Sequence, residues 1–128
     1  MPAQASVRVP VRWRDLDLLG HLNQAVYHEY LEEARGALMA SLGPDIRFPF
    51  VLARVELDYL SEVRRNHGEV EVVARVDRVG TKSLTVSHEV LLPDGSVAAT
   101  GSSVFVAWDV DARGSRALTD VERAALEA

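Results

Sequence analysis

The sequence contains no cysteine. That excludes disulfide bridges, thiol nucleophiles and thiolate-bound zinc, and it makes the cytoplasm the expected compartment. No apolar run approaches the ~20 residues of a membrane-spanning helix, so no span is expected. The opening "MPAQASVRVP" lacks a basic segment followed by an apolar one, so it does not read as a secretory signal. No internal repeat or low-complexity tract occurs. Positive charge is in the minority, with 14 Lys and Arg against 19 Asp and Glu and a formal charge of -5. That balance argues against nucleic acid as a general partner. What is present is ordinary for a globular protein: 48% apolar and 26% charged residues in a chain of 128. The length fits one domain, 1–128, able to bury roughly two-thirds of its unfolded surface.

Apolar periodicity divides the chain. "SVRVPVRW" (6–13) alternates, placing Val7, Val9, Val11 and Trp13 on one face. Pro10 has no N–H to give a ladder, so this strand is expected at an edge or bulged there. A helix is expected from about Gln24 to Leu42, because Tyr27, Tyr30, Leu31, Ala34 and Leu38 repeat at three and four. Asn23 is its candidate N-cap, and Gly43-Pro44 its stop. From residue 50 the period becomes two. Val51, Ala53, Val55, Leu57 and Tyr59 share one face by this count, as do Val70, Val72, Ala74 and Val76, and Leu84, Val86, His88, Val90 and Leu92. "SVAATGSSVFVAW" (96–108) is a long last strand whose small middle predicts a close approach or a bulge. The tight connections "VGTKS" and "PDG" predict an antiparallel meander for the last three strands. Thr119 and Glu122 are spaced as a capping box for a short terminal helix. This order reads as α+β, with an antiparallel five-stranded sheet wrapped around one long helix.

The stretch "WRDLDLLGHLNQAVYHEYLEEAR" (13–35) concentrates polar, turn-forming residues just ahead of the helix. Asp17 can shape an Asx turn or serve as a catalytic carboxylate. Asn23 can cap the helix or orient a ligand, and His21 can hydrogen-bond Asp17 or a loop carbonyl. The first N–H groups of the helix lack intrahelical partners and lie at the positive end of its dipole, so they can stabilise a developing anion. Gly20 suits a backbone conformation closed to other residues. His28 and Glu32 stand at i and i+4 with no second ligand pair nearby, so no metal site is expected. His67 falls in a polar turn. His88, on an apolar strand face, reads as a core histidine.

The pattern Asp15, Asp17, Gly20, then Tyr27, Tyr30 and Glu33-Ala34-Arg35 resembles the signature of hot-dog-fold acyl-thioester hydrolases, in particular the 4-hydroxybenzoyl-CoA thioesterase-like family. The "GHLN" form is similar to that of short bacterial acyl-CoA thioesterases and of acyl-carrier-protein thioesterases, and the likeness extends over roughly residues 7–108. The resemblance implies a hot-dog fold in a homodimer or homotetramer, hydrolysis of an acyl-CoA or acyl-carrier-protein thioester, and no cofactor. It places the catalytic carboxylate at Asp17 and an oxyanion-binding backbone N–H at Gln24, with Asn23 and His21 as further site residues. Arg64, Arg65 and Lys82, in loops at strand ends, are candidates for the CoA phosphates, and Tyr27 for the acyl pocket. The same residue types also serve as solvated loop charges and core packing. The hydratases of this fold resemble a different pattern, Asp-x-Asn-Pro-x-His, which Asp17 and His21 do not match in spacing. A non-catalytic acyl-binding module is the other alternative on this fold.

Overall fold

Asn23 begins the central helix: its backbone is extended, and its Oδ1 accepts from the Ala25 N–H at 2.9 Å. In the computed structural model, which describes residues 2–46 and 49–127, helix α1 then runs over Gln24–Ser41. Its predicted face, Tyr27, Tyr30, Leu31, Ala34 and Leu38, is buried. Fully buried leucines such as Leu31 and Leu38 contribute about 2 kcal/mol each by leaving water. Arg35, unremarked by periodicity, is buried on the same side.

The strands are β1 (Gln4–Pro10), β2 (Phe50–Tyr59), β3 (Glu69–Val79), β4 (Ser83–Leu91), β5 (Val97–Asp109) and a two-residue β6 (Gly114–Ser115). The five long strands form one antiparallel sheet in the order β1-β3-β4-β5-β2, and β6 pairs with the end of β5. The meander β3-β4-β5 is as the connections predict. Helix α1 packs chiefly on β1 and β3. The terminal helix α2 (Asp120–Glu127) closes with the expected capping box: Thr119 N donates to Glu122 Oε1 at 2.9 Å, and Glu122 N to Thr119 Oγ1 at 3.1 Å. Arg116 adds two charge-assisted bonds to the buried Glu122 carboxylate, at 2.8 and 3.0 Å.

Three details depart from the periodic reading. Strand β1 lies at an edge, as Pro10 requires, but it ends there. Trp13 starts a 3₁₀ turn, Trp13–Asp15, and stands 76% exposed rather than on the buried face. In β2 the register slips between Leu52 and Arg54. This bulge at Ala53 exchanges the faces, so Phe50 and Leu52, opposite Ala107 and Phe105, share a side with Val55, Leu57 and Tyr59, while Val51 and Ala53 do not. The small middle of β5 does both jobs expected of it. A bulge falls between its pairing to Val90 and to Leu91, and a Cβ on Gly101 would stand 2.5 Å from the Glu56 carbonyl oxygen. The β6 pairing is too short for any periodicity to reveal.

Candidate active site

The turn between β1 and α1 is built on Asp15. Its carboxylate is 2% exposed and accepts from the Arg12 N–H at 3.0 Å, from the Arg12 guanidinium, and from the Tyr30 hydroxyl at 2.6 Å. Burial alone would raise this carboxyl's pKa. The hydrogen bonds from Arg12 and Tyr30, with the Arg12 charge, outweigh it and hold the pKa below the ordinary value. Burial, and then Asp15, push the Tyr30 phenol far up. The Asp15 carbonyl in turn accepts from Asn23 N at 2.9 Å, so the clamp fixes the helix start as well as the turn. Tyr30→Phe removes one charge-assisted bond from this clamp and is expected to cost about 2 kcal/mol of stability, measured by urea unfolding.

Asp17 lies one pleat beyond, exposed, on a loop closed by the Leu16–Leu22 bridge. Its Oδ1 accepts from Leu19 N at 2.9 Å and His21 N at 3.2 Å, an Asx turn, and Asp17 N donates to the His21 carbonyl at 2.8 Å. Gly20, at φ 79°, makes the tight return. Oδ2 of Asp17 takes no hydrogen bond among the described residues.

A cleft of about 580 Å³ opens beside this carboxylate. Asp17, His21, Asn23, Gln24 and Tyr27 all line it. The first free N–H of α1 is that of Gln24, since Ala25 N goes to the Asn23 side chain and Val26 N to the Asn23 carbonyl at 2.9 Å. Gln24 N has no acceptor among the described residues, in the place where the helix dipole favours negative charge. Tyr27 is buried and meets Tyr59 edge-on, with ring centroids 5.0 Å apart. Burial, then Tyr59, raise its phenol to about 12, so it stays neutral.

The opposite wall is the segment after β2: Tyr59, Leu60, Ser61, Glu62 and Val63. Leu22 N donates to the Val63 carbonyl at 2.7 Å, and His21 bridges to Arg64, so a short ladder ties the two walls. The His21 ring turns to this wall rather than to Asp17: its Nε2 lies 2.8 Å from Glu62 Oε2, and Glu62 Oε1 lies 3.1 Å from Arg64 Nε. Glu62 was invisible as a site residue in the sequence. Only the His21–Arg64 pairing brings it to the cleft.

The candidate cations separate. Arg64 borders the cleft through Glu62 and His21. Arg65 stacks on Trp13, its Cζ 5.8 Å from the ring centroid, on the same end of the molecule. Lys82 lies beyond the far end of β3, so the length of that strand, about 35 Å, separates it from the cleft of its own chain. Among the described residues, no three His, Asp or Glu side chains come together as metal ligands, and no helix is long and apolar enough to cross a membrane.

Comparison with known proteins places this geometry. The sequence profile of the thioesterase-like superfamily matches residues 11–127. The fold superposes on a predicted thioesterase from Bacillus stearothermophilus with a TM-score of 0.87 and 28% identity, covering 97% of this chain and 94% of that one. A thioesterase from Thermus thermophilus, solved with coenzyme A and zinc, is 36% identical with a TM-score of 0.84, covering 94% and 90%. Among curated proteins, the uncharacterized protein YsmA of Bacillus subtilis is 27% identical over 122 residues, 93% of this chain and 82% of that protein.

Proposed function

Because the chain belongs to the thioesterase-like superfamily and is a thioester hydrolase of hot-dog fold, we propose that it cleaves an acyl-CoA in the Asp17 cleft, with Asp17 as the catalytic carboxylate and the Gln24 N–H as oxyanion donor. One observation carries this reading. The cleft holds a carboxylate with one oxygen tied into its loop and the other open, facing the space that also holds an unpaired helix N-terminal N–H.

The open Oδ2 takes a proton from water as the water oxygen bonds to the acyl carbon, or attacks that carbon itself to give a mixed anhydride that water then opens. On either route the carbonyl oxygen becomes an anion, which the Gln24 N–H stabilises. The C–S bond then breaks and the thiolate leaves. The Asn23 side chain, committed to Ala25 N, holds that N-terminus in place. Arg64 and Arg65 at the mouth suit the phosphates of coenzyme A, in keeping with the Thermus relative's complex. An acyl-carrier protein presents the same pantetheine arm and is the second candidate donor.

Strand β2 supports a homodimer. It is an edge strand, and its inner face leaves Leu52 41%, Tyr59 49% and the following Leu60 60% exposed. Such an edge is managed by pairing, and a second β2 is the matching partner. The deciding experiment is free-thiol release from a panel of short, long, branched and aromatic acyl-CoAs. Release from at least one class is expected. Silence across the panel, with carrier-borne acyl groups included, rules the reading out.

A further inference from the structure

A second groove, of about 650 Å³, lies on the same α1–β2 seam, toward the C-terminal half of the helix. Met39, Ala40, Phe50, Leu52 and Phe105 give it apolar walls. One cation stands among them: Arg35, 7% exposed. A guanidinium this deeply buried ordinarily lies against a carboxylate, because an uncompensated buried charge is costly. Among the described residues Arg35 has no such partner within ion-pair distance. Glu32 shares the groove wall but is exposed, and its attraction is outweighed by burial, so the guanidinium's pKa is lowered.

What holds Arg35 is neutral. Its NH1 donates to Ser103 Oγ at 3.2 Å, and its Cζ sits 5.5 Å from the Phe105 ring centroid. The direction of this chain follows from its far end. The Val73 carbonyl can only accept, so His88 Nδ1, 3.2 Å away, carries the proton. His88 Nε2 then accepts the Ser103 hydroxyl at 2.8 Å, and the Ser103 oxygen is left to accept from Arg35. The sheet thus orients the guanidinium without neutralising it. Four of its five N–H donors find no acceptor among the described residues. Yet no fully buried side-chain nitrogen or oxygen there lacks a partner, so the unused donors border open space. The open space beside Arg35 is the groove.

We propose that this groove receives the far end of the acyl group and that Arg35 binds a carboxylate there, so that the preferred substrates are thioesters of dicarboxylic acids. This rests on the reading that the Asp17 cleft holds the thioester. Arg35 follows Gln24 by three turns of α1, about 16 Å, so the acyl group runs along the seam rather than ending in the cleft. Apolar walls suit its methylene chain, and a planar guanidinium suits a two-oxygen terminus.

The test uses pairs of acyl-CoAs of matched length, one ending in a methyl group and one in a carboxylate, at several chain lengths. At the fitting length, kcat/KM is expected to favour the carboxylate member by about tenfold or more, since an unpaired buried donor penalises the analogue that lacks its partner. In Arg35→Met that ratio should fall to one or below, while turnover of the methyl-ended member stays within about twofold of the wild type. Arg35→Lys should keep part of the preference, and Ser103→Ala, which leaves the charge in place, should keep most of it. A wild type that favours the methyl-ended member at every length overturns the proposal, as does an Arg35→Met variant that slows both members equally. If no thioester is cleaved, it is the cleft reading that fails. Free dicarboxylic acids then judge the groove, by raising the melting temperature of the wild type and not of Arg35→Met, equal shifts overturning it.

Discussion

Asp17→Asn is expected to lower thioester turnover by about 10³-fold while leaving the melting temperature nearly unchanged. The substitution is informative because Asp17 has two separable jobs. Its Oδ1 accepts from Leu19 N and His21 N and so shapes the loop. An asparagine side-chain oxygen makes the same two bonds, so the Asx turn survives. The second oxygen, open to the cleft, becomes an amide nitrogen that can neither accept a proton nor attack carbon. Asp17→Ala removes both jobs and should lose about 1 kcal/mol of stability as well, from two exposed hydrogen bonds. Steady-state thiol release and thermal unfolding of the two variants together separate chemistry from scaffolding. Full turnover in Asp17→Asn would reduce the carboxylate to a loop former and move the search for the water-activating group to the His21–Glu62 pair across the cleft.

The second large effect concerns stability in mild acid. Burial first, and the Arg35 charge second, push the His88 imidazole down from 6.5 to about 4, against a smaller upward pull from its bond to the Val73 carbonyl. A histidine freed by unfolding takes its proton near 6.5, whereas the folded one resists until about 4. Within that window the unfolded chain binds more protons, so falling pH favours unfolding. The stability is fully present above 6.5, declines through the window, and shows no further loss from this group below about 4. The accumulated loss is about 3 kcal/mol. Urea unfolding at intervals across the window should show it, and His88→Gln, whose amide can still meet Ser103 and Val73, should flatten it. A wild type equally stable at both ends would mean that His88 is hydrated in the folded protein. Asp15 acts in a different range. Its pKa is lowered, so its contribution is present above the ordinary 3.8 and is lost as pH falls below that value.

Much of the architecture is legible in the sequence because burial writes a period into it. Tyr27, Tyr30, Leu31, Ala34 and Leu38 can share one face only on a helix, and the alternating valines of β3 and β4 only on a sheet with one dry side. Capping is equally local, so Asn23, Thr119 and Glu122 declare their roles by spacing alone. Where the reading went astray, a single residue broke the count. The bulge at Ala53 exchanged the faces of β2, and the Asp15 clamp turned Trp13 out of the strand. Neither leaves a mark on the period around it.

The candidate site divides along the same line. Asp17, His21, Asn23, Gln24 and Tyr27 lie within eleven positions of one another, and the chain brings them to one cleft by a local turn and a helix start. That much the sequence determined by itself, because short-range hydrogen bonds and helix geometry need no distant partner. The tertiary structure alone decided the rest. It set Glu62 against His21, carried Lys82 to the other end of the sheet, and stood Arg35 on Ser103 and His88 from two different strands. Those contacts join residues tens of positions apart. Their spacing follows from strand order and register, which are properties of the assembled sheet and not of any one segment.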